Sequence, residues 1–276
     1  MSLYGRLFHA AVFPAWERLR GRPTMAHLAE LERSQWRSPA ELEAEQGRAL
    51  EALVAHAYRN VPYYRQLMDA RGIAPGELRS VADLRRLPIL TRDVAARAGE
   101  SRRSTGEPRC VVNKLTGGST GAPLRFGFDL GSEHWRHAIK LRGWGWSGYR
   151  VGDRTLYFWG PATTLPPPLS KRAKVAADRA LKRERYIDCT ERGEAELSAV
   201  VGEIRARRIE RLICYTQAGV DLARFIVERR LRDWDDVPVL CCAEALHPAD
   251  RRLFEQAFGP EVVETYGCRE VMMIAC

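Results

Sequence analysis

The 276-residue chain lacks most features that would set it apart from ordinary globular proteins. It has no CxxC pair, and its seven cysteines make an odd count that argues against a disulfide framework. No apolar run reaches the roughly 18 residues that a membrane span requires. Internal repeats, low-complexity tracts and a signal-peptide cleavage site are also missing. We therefore expect a cytoplasmic protein with reduced thiols and no integral membrane segment.

An excess of acidic residues is absent too. Lysine and arginine number 44 against 35 aspartates and glutamates, which gives a net charge of +9. A positive balance suits anionic small molecules such as nucleotides or coenzyme A. The arginines are scattered along the chain, so no nucleic-acid partner is predicted.

The first 22 residues have a one-sided apolar pattern that Pro14 interrupts. The apolar positions recur at helical spacing, and they are Leu3, Leu7, Phe8, Ala11, Val12, Ala15, Trp16 and Leu19. The basic positions lie elsewhere, at Arg6, Arg18, Arg20 and Arg22. This pattern predicts a helix packed on the protein's own core, with peripheral contact to a membrane as the alternative.

Residues 1–105 read as a mostly helical region. Ser38-Pro39-Ala40-Glu41 is a capping box that predicts a helix over 38–60, and a second helix is expected from Pro62 to Arg71. Ser80 to Asp83 forms another N-terminal cap.

The pattern changes after residue 105, where short β-rich runs alternate with helical stretches. The expected strands are Arg109–Leu115, Leu124–Phe128, Thr155–Trp159, Tyr186–Cys189, Leu212–Tyr215, Val237–Cys242 and Val262–Tyr266. The expected helices are 131–142, 171–185, 193–208, 217–232 and 248–258. Such alternation is typical of a mostly parallel sheet with flanking helices, so 106–276 is predicted to be an α/β core.

A glycine- and hydroxyl-rich loop lies between the first two of these strands. It contains Thr116, Gly117, Gly118, Ser119, Thr120 and Gly121. Glycines let backbone N–H groups turn inward to form an anion-binding nest, and the hydroxyls add donors. The loop is therefore predicted to wrap a polyphosphate.

The same loop also fits G-x-S-x-G, the motif that holds the nucleophile of α/β-hydrolases. That motif requires a strand, a sharp turn and then a helix. Here Pro123 and a second β-like run follow, so a serine hydrolase that uses Ser119 is the weaker reading.

Two further motifs follow the last expected strands. Ala243-Glu244 comes directly after one strand, and Tyr266-Gly267-Cys268-Arg269-Glu270 after the next. The carboxyl ends of parallel strands are where open α/β sheets bind ligands. There the Tyr266 ring can stack on a base, and Glu270 can hold Mg²⁺ against phosphates.

Adenylate-forming enzymes have motifs that resemble three of these features and that occur in the same order along the chain. The three features are the glycine-rich loop, the Ala-Glu pair and the Tyr-Gly-x-x-Glu run. The chain is most similar to the phenylacetate–coenzyme A ligase and CapK-like group, which is named for capsular polysaccharide biosynthesis. RNVPYYRQL and DLRRLPILTRD in the helical region resemble that group as well. The resemblance runs from about Ser38 to the last residue, and it implies the fold of the large domain of these enzymes.

The resemblance also implies roles for the motif residues. Residues 116–121 would hold the β- and γ-phosphates of ATP, Glu244 and Tyr266-Gly267 would line the adenine site, and Glu270 would bind Mg²⁺. The implied reaction joins a small carboxylic acid to AMP, releases pyrophosphate, and passes the acyl group to coenzyme A or another acceptor. Catalysis would consist mostly of charge neutralisation and positioning.

The chain departs from the group's pattern in three places. Ala122 stands where the loop often carries lysine, and Arg269 stands where threonine often meets the α-phosphate. The group continues beyond the position of Cys276 with a ribose-binding aspartate and a C-terminal lid that bears a lysine, so the lid is expected to be absent here. A non-catalytic nucleotide-binding or interaction protein is the alternative. An incomplete sheet would expose an apolar edge, so an oligomer is also expected.

Overall fold

The structure is a computed structural model that describes residues 2–106, 112–115, 124–160 and 169–276. By contacts it separates into two compact units. One contains Met1–Met25 and Ala138–Cys276, and the other contains Ala26–His137. The predicted domains, 1–105 and 106–276, divide the chain by sequence position, whereas these units group residues by their contacts. The predicted domains therefore stay a prediction.

The helices of the described residues are numbered in chain order. They are α1 (Leu3–Leu7), α2 (Phe13–Leu19), α3 (Thr24–Ser34), α4 (Pro39–Asn60), α5 (Pro62–Asp69), α6 (Arg92–Ala98), α7 (Leu130–Trp146), α8 (Leu169–Leu181), α9 (Glu194–Arg207), α10 (Thr216–Glu228) and α11 (Pro248–Phe258). A π turn, Phe8–Val12, joins α1 to α2, and short 3₁₀ turns cover Pro75–Glu77, Val81–Arg86 and Gly99–Arg102.

The strands form two sheets. They are β1 (Val112–Leu115), β2 (Arg125–Phe128), β3 (Thr155–Trp159), β4 (Glu184–Asp188), β5 (Arg211–Tyr215), β6 (Val239–Cys242) and β7 (Val262–Glu264). The larger sheet has the order β4-β3-β5-β6-β7, and all of its pairs are parallel. Helices α9 and α10 alternate with β4, β5 and β6 along the chain, and α11 leads into β7. The predicted fold class is therefore confirmed.

Both faces of this sheet are covered, because successive side chains of each strand point to opposite sides. Leu156 and Phe158 of β3 pack with the apolar sides of α9, α10 and α11 in one core cluster. Tyr157, between them, packs on the other face with Phe8, Phe13 and the end of α7. Burial on both faces explains why the central strands read as nearly continuous apolar runs rather than alternating ones.

In the second unit, local capping sets the helix starts. The Ser38 hydroxyl accepts from the Glu41 N–H, and the Glu41 carboxylate accepts from the Ser38 N–H, so the predicted capping box is confirmed. Ser80 and Asp83 repeat the arrangement at the start of a 3₁₀ turn. A small core of Val54, Met68, Ile73 and Leu78 lies beneath these elements.

Most predicted bounds agree with the structure, and β3 and α11 agree to the residue. Four predictions need correction. Helix α7 continues to Trp146, four residues beyond the predicted end at residue 142. Helix α8 ends at Leu181 and β4 begins at Glu184, because Arg183 has a positive φ of 57° that breaks the helix there. Strand β7 ends at Glu264 rather than Tyr266, because the Tyr266 backbone pairs instead with Ala275. Helix α10 ends at Glu228, four residues before the predicted end.

Among the described residues, no helix combines the length and the apolar character needed to cross a bilayer.

Candidate functional site

The carboxyl ends of β5, β6 and β7 bring together the polar residues that follow each strand. Thr216 and Gln217 follow β5, Glu244 follows β6 by two residues, and Thr265 and Tyr266 follow β7. Since neighbouring parallel strands end at the same edge, these residues share one rim of the sheet. The rim is the location that the sequence predicted for Glu244 and Tyr266.

Glu244 is fixed at this rim by the start of α10. Ala243 has a φ of 75°, a left-handed conformation that turns the chain sharply after β6. The Glu244 carboxylate then accepts a hydrogen bond from the Gln217 N–H at 2.9 Å. The Thr216 hydroxyl donates to the Glu244 carbonyl at 2.9 Å. The side chain is solvent-exposed and held by the first of these hydrogen bonds, while the second fixes the backbone that carries it.

Thr265 joins β7 to the end of β6. Its N–H donates to the Cys241 carbonyl at 2.9 Å, and its hydroxyl lies 3.2 Å from the Cys242 sulfur. Burial raises the pKa of the Cys242 thiol to about 12. This thiol is therefore protonated at neutral pH and is not a nucleophile, which leaves it a packing role beneath the rim.

Tyr266 lies at the start of a closed turn that carries Arg269 and Glu270. The Tyr266 N–H donates to the Ala275 carbonyl at 2.9 Å, and the Ile274 N–H donates back to the Tyr266 carbonyl at 2.8 Å. The Tyr266 ring is 67% exposed, so its face is open to a planar ligand. Arg269 and Glu270 are also exposed on the turn.

Gly267 allows this turn to close. A Cβ at this position would lie 2.1 Å from the carbonyl oxygen of Met272. Any side chain would therefore push the two limbs of the turn apart. The glycine of the Tyr-Gly motif is thus explained by a close approach of backbone to backbone.

Aromatic residues at the same rim are a feature that the motifs did not indicate. Trp159, at the end of β3, and Tyr215, at the end of β5, have ring centroids 4.4 Å apart. A Cβ on Gly160 would lie 3.0 Å from the Tyr215 ring, so this glycine leaves space for it. The signal in the sequence was an aromatic residue at the last position of two of the expected strands, which the structure makes neighbours in the sheet. Thr216 and Gln217 gave no such signal.

The predicted phosphate loop, Thr116 to Gly121, lies outside the described residues, but the strands on either side of it are described. β1 and β2 pair antiparallel, with Leu115 opposite Arg125. The loop therefore connects strand to strand within the second unit. A nucleophile elbow requires a helix directly after the turn, so this connection contradicts the hydrolase reading of Ser119.

No group of three or more histidine, cysteine, aspartate or glutamate side chains in the described part of the chain could hold a metal ion. Mg²⁺ in nucleotide sites usually has one or two protein carboxylates and takes its other ligands from phosphates and water. The exposed carboxylate of Glu270 is a ligand of that kind, and so Mg²⁺ with ATP is chemically compatible with these residues.

The sequence is similar to that of curated CoA ligases over part of its length. Phenylacetate-coenzyme A ligase of Aromatoleum evansii is 33% identical over 145 residues, which are 50% of this chain and 31% of that protein. The Escherichia coli K12 phenylacetate-coenzyme A ligase is 31% identical over 101 residues, 36% of this chain and 23% of that protein. No protein-family model matches the chain.

Solved structures of CoA ligases match the fold of the chain. 2-Hydroxyisobutyryl-CoA ligase in the postadenylation state with R3-HIB-AMP matches with a TM-score of 0.63 and 16% identity, over 85% of this chain and 50% of that chain. The fold is that of an adenylate-forming ligase. An open conformation of the same ligase with 2-HIB-AMP and CoA matches with a TM-score of 0.61 and 16% identity, over 83% of this chain and 54% of that chain. This chain thus spans about half the length of the ligase structures that it matches.

Proposed function

We propose that the chain is the ATP-binding portion of an adenylate-forming acid–CoA ligase of the phenylacetate-CoA ligase and CapK-like type. The observation that carries this proposal is the shared rim, where Glu244 and Tyr266 follow neighbouring parallel strands of a sheet with the ligase fold. Sequence similarity to phenylacetate-coenzyme A ligases supports the same assignment. The proposed location is the cytoplasm, where ATP and coenzyme A are available.

Each motif would contribute one part of the nucleotide site. The Tyr266 ring would stack on adenine, and the Glu244 carboxylate would accept a hydrogen bond from the adenine amino group. The backbone N–H groups and hydroxyls of residues 116–121 would hold the β- and γ-phosphates. Glu270 would hold Mg²⁺, which neutralises charge on the phosphates. Arg269, in the position where the group often has threonine, would meet the α-phosphate as a fixed cation.

The reaction that such a site supports begins with a carboxylic acid. A carboxylate oxygen of the acid forms a bond to the α-phosphorus of ATP, the bond to the bridging oxygen breaks, and pyrophosphate leaves. The thiolate of coenzyme A then bonds to the acyl carbon of the mixed anhydride, and AMP leaves with the electron pair. This chain's residues would position the two anionic reactants and offset their repulsion, which is the main barrier to the first step.

The adenylation half-reaction is the direct test. ATP–pyrophosphate exchange should be measured with a panel of aryl and acyl acids, on this chain and on any longer product of the same gene. We expect acid-dependent exchange in at least one of the two. Failure of both with every acid would remove the ligase assignment.

Calorimetry with ATP and Mg²⁺ distinguishes the alternative. Binding without exchange in any form would favour the non-catalytic nucleotide-binding protein. For the metal role, Glu270→Gln should weaken binding of ATP·Mg²⁺ by roughly tenfold and change binding of metal-free ATP much less. Glu261→Gln is the matched control, since Glu261 is exposed at the opposite end of β7 and should change neither.

A further inference from the structure

The N-terminal segment, residues 3–19, is apolar on two opposite sides. Its inner side packs into the core cluster through Phe8 and Phe13, which are each 5% exposed. Its outer side is exposed, with Leu3 at 79%, Leu7 at 60% and Leu19 at 83%. A helix that is hydrophobic all round is normally covered on both sides. The outer side is therefore a surface suited to an apolar environment.

The π turn explains how the segment acquires two apolar sides. In a continuous α-helix, residues five apart are separated by about 140° around the axis, so Phe8 and Phe13 would diverge. Here the Phe13 N–H donates to the Phe8 carbonyl, five residues back, and the wider turn brings both rings to the same side. On the other side of the segment, Leu3, Leu7, Ala11 and Ala15 face solvent. We call the exposed residues Leu3, Leu7, Ala11, Val12, Ala15 and Leu19 the outer stripe.

The outer stripe lies among basic residues. Arg6 and Arg18 of the segment are exposed, and just after it Arg20 is exposed and Arg22 partly exposed. Its one acid, Glu17, is buried and lies 3.3 Å from Arg22, so it adds no negative charge to the surface. Arg20 stacks over Trp16 at 4.2 Å, and tryptophan is a residue type enriched at membrane–water interfaces.

Helix α8 extends the same kind of surface. It contacts the start of the N-terminal segment, because the Tyr4 hydroxyl donates to the Leu181 carbonyl at 2.7 Å and Arg183 donates to the Ser2 hydroxyl at 2.6 Å. Leu169 is 78% exposed and Leu181 is 51% exposed. Arg172 and Lys174 of α8 are exposed beside Leu169 in the sequence. Further along, Lys182 pairs with Asp178 and Arg185 with Glu203, so the exposed basic charge of this helix lies in its first turns.

We propose that the outer stripe and α8 form a docking surface for a bilayer that carries anionic phospholipid. The leucines would enter the boundary between headgroups and acyl chains, and the arginines and lysines would contact the lipid phosphates. The positive charge around the outer stripe favours an anionic bilayer over a second copy of the chain as the occupant of this surface. Two copies would bring like-charged borders together, whereas an anionic bilayer complements both the apolar stripe and its basic surroundings. The surface would hold a ligase beside a membrane-borne acid or acceptor.

Co-sedimentation of the full chain with vesicles tests the proposal without any assay of activity. We expect binding to vesicles of phosphatidylcholine mixed with phosphatidylglycerol to be at least about tenfold tighter than binding to phosphatidylcholine alone. High salt should weaken it, because the attraction to the headgroups is screened. Leu3→Glu with Leu7→Glu should weaken binding by at least about tenfold as well. Both leucines are exposed, so the circular dichroism and melting temperature should not change.

The matched control makes the same chemical change in the other compact unit. Leu53 is 63% exposed and Ile89 is 88% exposed, and Leu53→Glu with Ile89→Glu should leave vesicle binding unchanged. Three results would overturn the proposal. They are no binding to anionic vesicles, equal loss in the control variant, or a dimer in size-exclusion chromatography that the Leu3 and Leu7 changes dissociate while vesicle binding is absent.

Discussion

The carboxylate of Glu244 accepts a hydrogen bond from the backbone N–H of Gln217 at 2.9 Å, so the loop after β6 caps the first turn of α10. That N–H belongs to the set that a helix leaves without an intrahelical acceptor. The positive end of the helix dipole also favours a carboxylate there. Glu244 therefore stabilises the rim by itself, before any nucleotide is considered.

This relationship predicts a stability effect at Glu244. Glu244→Ala should lower the free energy of unfolding by about 0.5–1 kcal/mol, since the Gln217 N–H loses its acceptor. Glu244→Gln should lower it less, because the amide oxygen can still accept. Urea unfolding measures both. Glu228, exposed at the other end of α10, is the control, and Glu228→Ala should be neutral or slightly stabilising. Equal losses at the two positions would argue against the cap.

A second prediction concerns pH and the partly buried carboxyl of Glu184. Burial raises the pKa of Glu184, against the opposing charges of Lys140 and Lys182. Folding therefore favours the protonated form, whose stabilising effect is full below the ordinary carboxyl pKa and is lost as pH rises through the folded value. In Glu184→Gln this loss should vanish. Thermal melts from acidic to neutral pH should show a flatter profile for the variant than for the natural chain.

The pKa of Glu203 is shifted in the opposite direction to that of Glu184, so this residue provides a comparison. The hydrogen bond from Arg207 lowers the pKa of Glu203. Its stabilising effect is present above the ordinary carboxyl pKa and is lost as pH falls through the folded value. Glu203→Gln should therefore reduce stability at neutral pH and leave it less changed in acid. If both variants shift the melts in the same direction, burial of Glu184 is not the dominant influence.

Local chemistry in the sequence predicted much of the fold. The capping box at Ser38, the Pro248 start of α11 and the apolar run of β3 are each determined by neighbouring residues, and each prediction agreed with the structure. At the site, the sequence indicated that Glu244 and Tyr266 follow strands. It did not indicate what holds them.

The features that the sequence did not predict depend on contacts between residues that are not neighbours along the chain. The hydrogen bond between Glu244 and Gln217 joins residues 27 positions apart. The pairing of Tyr266 with Ala275 ends β7 early, and no propensity of Tyr266 itself would signal that. Both contacts form only in the folded chain, and a pattern of single residues does not encode them.

Gly267 gives a third prediction. Gly267→Ala would bring a Cβ to within 2.1 Å of the Met272 carbonyl, so the turn that carries Arg269 and Glu270 must open. If the turn belongs to the nucleotide site, ATP-dependent exchange should fall by roughly 10- to 100-fold. The exposed Gly202 of α9 has open space around it, and Gly202→Ala should leave exchange unchanged and raise the melting temperature slightly. Normal exchange in Gly267→Ala would separate this turn from catalysis.

The N-terminal segment gives the last prediction, because the sequence places Leu7 and Phe8 in one apolar pattern without Phe13, whereas the structure buries Phe8 with Phe13 and exposes Leu7. Phe13 is 5% exposed in the core against the sheet, and Leu7 is 60% exposed. Phe13→Ala should therefore lower the free energy of unfolding by about 3 kcal/mol, through lost burial and the cavity that remains. Leu7→Ala should change it by less than about 0.5 kcal/mol. Denaturant unfolding of the two variants compares them directly. If Leu7→Ala lowered the free energy of unfolding more than Phe13→Ala, the π turn would not set the orientation of this segment.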